Sequence, residues 1–209
     1  MSEDELNLRR NLMKEIKDEV LNLKISPLYT YRTKNNFLPV IGEGSHLAKI
    51  MLVGEAPGRN EAKTGRPFCG AAGKILDELL AHAEIAREEI YITNIVKDRP
   101  PENRDPTEEE IKIYGPFLDR QIEIIKPKII GSLGRYAMGY LMDKLSLSDQ
   151  KNTIGKLHGK SFLGKTSRAQ NALVHFVALY HPAVAIYNQA SKDDLKKDFL
   201  VLKEVLKKI

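Results

Sequence analysis

The chain is poor in the residues that build metal and redox sites. Its 209 residues include one cysteine, Cys69, and no tryptophan. A lone cysteine excludes an internal disulfide framework and any cysteine-rich metal centre. No HExxH and no Cys-x-x-Cys pair is present, so the sequence offers no zinc site. The glycine-rich stretch from Gly54 to Gly65 lacks the GK[ST] ending that cradles a triphosphate, and it lacks GxGxxG spacing. No apolar run approaches the roughly 20 residues of a membrane span. The amino terminus, MSEDELNLRR, is acidic and has no signal-peptide core. An intracellular protein with no membrane partner is the resulting expectation. The length suits one domain, 1–209, with a sizeable core. The net charge of +5 is a modest basic excess, compatible with nucleic acid but no proof of it.

What is present is an alternation of two periodicities. Residues 3–24 carry Leu6, Met13, Ile16, Val20 and Leu23 at helical spacing, and Pro27 ends that helix. Residues 28–48 read as irregular and hold a basic cluster, Arg32-Thr33-Lys34, suited equally to a solvated loop or to phosphate contact. KIMLVG (49–54) is a continuous apolar run, the mark of a strand buried on both faces. A loop follows, then a helix with Ile75, Leu76, Leu79 and Leu80 on one side. EIYITNIV (89–96) is a second strand, and KDRPPENRDP (97–106) a polar loop with three prolines. Thr107 with Glu110 forms a capping box for a helix that stops before Pro127. KIIGSL (128–133) is a third strand, followed by a helix through Met142. Residues 146–172 read as a loop with a short hairpin. VHFVALY (174–180) is a fourth strand, running into His181-Pro182-Ala183, and a helix from about Asp193 closes the chain. Strand–helix alternation of this kind predicts an α/β fold, a parallel sheet between helical layers.

Three loops then leave the carboxyl ends of strands, where α/β proteins bind ligands: 54–70, 94–106 and 181–192. They carry Glu55, Glu61, Phe68, Asn94, Asn103 and His181. An asparagine amide presents a donor and an acceptor to one edge of a nucleobase. An aromatic ring gives a flat ring a stacking face. A histidine stabilises charge on an oxygen, and a carboxylate positions water or favours a cationic sugar. Together such groups suit an extruded base and hydrolysis of its glycosidic bond. Taken singly, each has a structural use as well: Glu55 bonding loop amides, Glu61 in solvent, Phe68 in the core, Asn94 closing a turn, His181 buried and satisfied.

Three blocks sharpen this. GEAPGRNEAKTGRPFCGAAG, ITNIVKDRPPENRDPT and YHPA resemble, in order and spacing, the motifs of the uracil-DNA glycosylases, specifically the thermostable iron–sulfur group called family 4. The resemblance runs from about residue 20 to the last helix. It implies a three-layer α/β/α fold with a roughly four-stranded parallel sheet. It also implies removal of uracil from single- or double-stranded DNA, by a monomer in the cytoplasm of a prokaryote. Carried over, Phe68 stacks on the flipped uracil, Asn94 reads its Watson–Crick edge, and His181 stabilises the departing oxygen. Glu55 and the Ala56 backbone lie by the sugar and water. Glu61 stands at the pocket wall, and Asn103 supports the site. Ile186 and Tyr187 resemble the wedge that fills the gap in the duplex. Two alternatives remain open: a glycosylase for hypoxanthine or xanthine, and a non-catalytic module that binds damaged DNA.

The departure from that family lies in its cluster. Four cysteines hold a [4Fe–4S] centre in family 4; the matching positions here are Leu23, Ser26, Asp98 and Tyr114. None supplies a thiolate. The expectation is a protein without a cluster or other cofactor, its junction held by packing of Leu23 and Tyr114, with Asp98 bonded to backbone or to Ser26. Cys69, in the first block, reads as a packing residue beside Phe68.

Overall fold

The computed structural model describes residues 3–148, 152–166 and 172–209. Helix α1 (Glu3–Leu21) is followed by a short helix α2 (Tyr29–Lys34) and a two-residue strand β1 (Glu43–Gly44). The stretch 28–48, irregular by sequence, thus contains two regular elements. Then come β2 (Ile50–Gly54), α3 (Arg59–Thr64), α4 (Ala71–His82), β3 (Tyr91–Asn94), α5 (Glu108–Ile125), β4 (Ile129–Leu133) and α6 (Arg135–Lys144). The chain ends with α7 (Ile154–Leu157), β5 (Ser161–Lys165), β6 (Leu173–Leu179), α8 (Val184–Tyr187) and α9 (Lys192–Leu206). The expected loop and hairpin over 146–172 falls partly on 149–151 and 167–171, outside the described residues; where described, β5 pairs antiparallel with β6.

The sheet has six strands in the order β1-β3-β2-β4-β6-β5. The expected parallel core is there: β3, β2, β4 and β6 run parallel. Two antiparallel edge strands, β1 and β5, are added to it. The sequence gives β1 no signal, because a two-residue strand has no measurable period; β5 lies in the stretch read as a loop with a short hairpin, and its mostly exposed pattern leaves its bounds unmarked.

Strand β2 shows why the central strands read as unbroken apolar runs. Ile50 and Leu52 enter the layer with Leu76 and Leu79 of α4 and Phe199 of α9. Met51 and Val53 enter the opposite layer with Ile16 of α1, Leu118 of α5 and Leu141 of α6. Both faces are covered, so both sets of alternating side chains are apolar. The chain leaves β2 for β3 on one side and β4 for β6 on the other. The loops part there, and a crevice opens at the carboxyl ends of the strands. Among the described residues no helix is long and apolar enough to cross a membrane.

Candidate active site

The crevice is a cleft of about 340 Å³. Its wall brings together Glu55, Ala56, Glu61, Phe68, Asn94, Asn103 and His181, from all three loops, with Arg104 beside them.

Phe68 is held in a strained pose. Its backbone is left-handed, with φ of +49°, which costs a non-glycine residue about 1–3 kcal/mol. Two clamps maintain it. Glu61 Oε1 accepts the backbone N–H groups of Cys69 (3.0 Å) and Gly70 (2.8 Å). Arg87 Nη2 donates to the carbonyls of Pro67 (3.0 Å) and Phe68 (3.3 Å). Two glycines are required by the same pose: a Cβ on Gly73 would overlap the Phe68 carbonyl, and one on Gly54 would overlap the Phe68 ring and Asn94 Oδ1. Cys69 is exposed rather than packed, because the turn aims it outward, with Sγ 3.3 Å from Thr64 Oγ1.

Asn94 ends β3 and is almost fully buried. No group among the described residues hydrogen-bonds its side-chain amide, and it opens on the cleft. With the rest of the residue buried and its amide facing the cleft, Asn94 offers a donor and an acceptor to a ligand.

His181 lies with its ring centroid 5.6 Å from that of Phe68. Its Nδ1 accepts the Ala183 N–H (3.1 Å), so the neutral ring carries its proton on Nε2. Burial pulls its pKa down to about 4, with the Glu61 carboxylate opposing. Glu55 is displaced the other way. Burial, then the Asp105 carboxylate, push it up to about 7, against the pull of Arg135. Asp105 is itself held by Arg135 Nη2 (2.5 Å) and the Tyr136 hydroxyl (2.8 Å).

Asn103 follows Glu102 in a tight turn where both backbones are left-handed, φ +55° and +56°. Its Oδ1 accepts Arg99 Nε (2.7 Å), and Arg99 Nη1 reaches Tyr31 of α2 (2.9 Å). Ile186 and Tyr187 do not line the cleft; they lie on α8, a single helical turn rather than a loop, 45% and 89% exposed.

The segment 97–106 is not a solvated polar loop at its start. Lys97, Asp98 and Arg99 are all buried, and each points to a different structure. Lys97 reaches under β3, Asp98 reaches toward the amino-terminal helices, and Arg99 holds Asn103. Three consecutive charges directly after a strand look like surface in a sequence; that all three are buried shows only in the fold.

Asp98 meets the other positions singled out at the junction. Tyr114 Oη donates to Asp98 Oδ2 (2.6 Å). That uses the phenol's one proton, so Ser26 donates in the 2.8 Å bond between Ser26 Oγ and Tyr114 Oη. Arg32 Nη1 bonds Asp98 Oδ1 (3.3 Å) and the Val20 carbonyl (2.9 Å), and Nη2 bonds the Leu21 carbonyl (2.6 Å). Arg32 is therefore neither loop nor solvated. It sits in α2, buried, closing the carboxyl end of α1 and neutralising Asp98. Asp98 bonds Tyr114 and Arg32 rather than backbone or Ser26. Leu23 packs at the edge of the core cluster that holds Tyr114. Burial raises the Asp98 pKa against the pull of Tyr114 and Arg32. Among the described residues no group of three or more His, Cys, Asp or Glu is placed to hold a metal ion.

Residues 41–203 match the family described as the uracil DNA glycosylase superfamily. The chain is 44% identical to the type-4 uracil-DNA glycosylase of Sulfurisphaera tokodaii over 92% of its length and 84% of the relative's. It is 43% identical to that of Saccharolobus solfataricus, over 91% and 85%. It is 41% identical to that of Archaeoglobus fulgidus, over 84% of each chain.

Proposed function

The chain belongs to the uracil DNA glycosylase superfamily, and on that footing we propose that it removes uracil from DNA by hydrolysing the N-glycosidic bond. The products are free uracil and an abasic site. The observation that supports this most is the Asn94 amide, which has no hydrogen-bond partner among the described residues and lines one cleft with the Phe68 ring and a neutral His181. Those groups fit one flipped pyrimidine: a stacking face, a donor and acceptor for its Watson–Crick edge, and a donor for its oxygen.

In this reading the base leaves the stack and rests on Phe68, while Ile186 and Tyr187 fill the gap in the duplex. As the bond breaks, negative charge grows on uracil and positive charge on the sugar. His181, with a pKa of about 4, stays neutral at pH 7 and donates a hydrogen bond without surrendering its proton. Asn94 supplies the second donor. Glu55, beside the Ala56 backbone and with a pKa near 7, takes a proton from the attacking water and favours the cationic sugar. Glu61 serves by fixing the loop that presents Phe68 and by facing His181 with negative charge. Asn103, pinned by Arg99, lines the side of the cleft formed by the second loop.

We propose also that the protein works without an iron–sulfur cluster. Leu23, Ser26, Asp98 and Tyr114 offer no thiolate, and a closed set of hydrogen bonds joins Ser26, Tyr114, Asp98 and Arg32 there. Iron analysis and visible absorption of anaerobically purified protein test this; stoichiometric iron overturns it.

The activity is tested with oligonucleotides bearing uracil, hypoxanthine, xanthine or a thymine mispair, followed by cleavage of abasic sites. Cleavage at uracil is expected. Cleavage only at a purine lesion, or tight binding without cleavage, overturns the assignment.

A further inference from the structure

Lys97 is completely buried, and no carboxylate among the described residues faces it. Its ammonium nitrogen lies 2.8 Å from Thr93 Oγ1, 2.6 Å from the Asn94 carbonyl and 2.6 Å from Gln121 Oε1. The surroundings fix all three as acceptors. The Thr93 hydroxyl gives its proton to the Ile41 carbonyl (2.6 Å), so its lone pairs face Lys97. Gln121 Nε2 is taken by the Ile41 carbonyl (2.9 Å) and by the Tyr91 hydroxyl (3.2 Å), so Oε1 faces Lys97. Three acceptors match the three protons of an ammonium. A neutral amine has two protons, and its own lone pair would be aimed at one of the acceptors.

Lys97 is bonded to the strand end that borders the cleft. The carbonyl that Lys97 holds belongs to Asn94, whose side chain opens on the site. A cation in a low-dielectric interior, with no counter-ion to cancel it, acts on charge nearby far more strongly than one in water. We propose that Lys97 is a positioning residue for this site: its buried ammonium fixes the strand end that carries Asn94 and lowers the energy of the anion that develops on the departing base. Burial pulls the Lys97 pKa well below its ordinary value, and the three neutral acceptors from β3 and α5 work against that pull, as hydrogen bonds to the charged form do.

This inference rests on the glycosylase reading, so its test separates the two. The first measurement is the nitrogen chemical shift of Lys97 in ¹⁵N-lysine-labelled whole protein at pH 7, assigned by loss of the signal in Lys97→Met. An ammonium is expected; a neutral amine overturns the proposal, whatever the activity. The second compares wild type and Lys97→Met on DNA bearing uracil and on DNA bearing 5-fluorouracil, whose anion is the more stable and needs less help. Lys97→Met is expected to slow uracil release about tenfold to a hundredfold, less than the roughly hundredfold to thousandfold of losing a donor that touches the anion itself. It is expected to slow 5-fluorouracil release clearly less. Equal losses on the two substrates overturn the electrostatic role, because misplacing Asn94 alone would slow both alike. A wild-type protein that cleaves neither substrate overturns the glycosylase reading itself, a result distinct from either of these.

Discussion

The second loop borders two polar clusters of opposite design. On one side, Ser26, Tyr114, Asp98 and Arg32 bond one another and the last carbonyls of α1. On the other, the Asn94 amide has no partner among the described residues, and burial holds Glu55 and His181 away from their ordinary pKa values in opposite directions. Both clusters are built from polar side chains taken out of water. The first returns the cost of desolvation within the protein, so it ties α1, α2 and α5 to the loop. The second turns its polar groups to the cleft, where a ligand can meet them. Polar groups that bond one another thus tie the fold together; polar groups that face a cleft without protein partners mark a site.

Substitutions can break this comparison or sharpen it. Arg32→Met should be the most damaging to stability. It strands Asp98 and two helix-end carbonyls, and removing one partner of a buried ion pair costs about 3–5 kcal/mol. Urea denaturation reads the loss, and cleavage per folded molecule should change little. A variant of unchanged stability would remove the distinction between the clusters. His181→Ala should do the reverse: a loss of about 10²–10³-fold in single-turnover rate with the unfolding midpoint held.

Smaller effects follow from Glu55. With its carboxylate required in ionised form, kcat/KM should fall as pH drops through about 7. Asp105→Asn removes the repelling charge, so this limb should move to lower pH by about one unit or less; Arg135→Gln should move it up. Folding stability carries the same sign. The native state holds the Glu55 proton more tightly than the unfolded chain, so its contribution is full below the ordinary value of 4.5 and is lost as pH rises to about 7. Glu55→Gln should therefore abolish cleavage and lose less thermal stability than wild type between pH 5 and pH 8. Ser26→Ala, which deletes a neutral hydroxyl that donates to Tyr114 and accepts the Leu28 N–H, should cost about 1–2 kcal/mol.

Much of the site was readable before the fold. Glu55, Asn94 and His181 stand at the ends of apolar runs, and strand–helix alternation brings such ends to one edge. The runs were visible because both faces of β2, β3, β4 and β6 are covered. Arg32, Lys97 and Arg99 were not readable. Arginine and lysine are ordinarily surface residues, and only long-range partners such as Asp98, Gln121 and Tyr31 show that these three are buried. Asp105 carries no signal in the sequence for a related reason. Its influence on Glu55 runs through space between two loops, and the proline-rich stretch around it reads as surface.

The sequence by itself determined the central parallel sheet, its helices, and the set of side chains delivered to the cleft, because periodicity and capping are local and act through neighbouring residues. It also determined that the four junction positions carry no thiolate. Tertiary structure alone decided what those positions do, which charges are buried, and which polar groups are left unpaired. Hydrogen bonds such as Asp98 with Arg32, 66 residues apart, and Lys97 with Gln121, 24 apart, join segments whose local patterns carry no trace of one another.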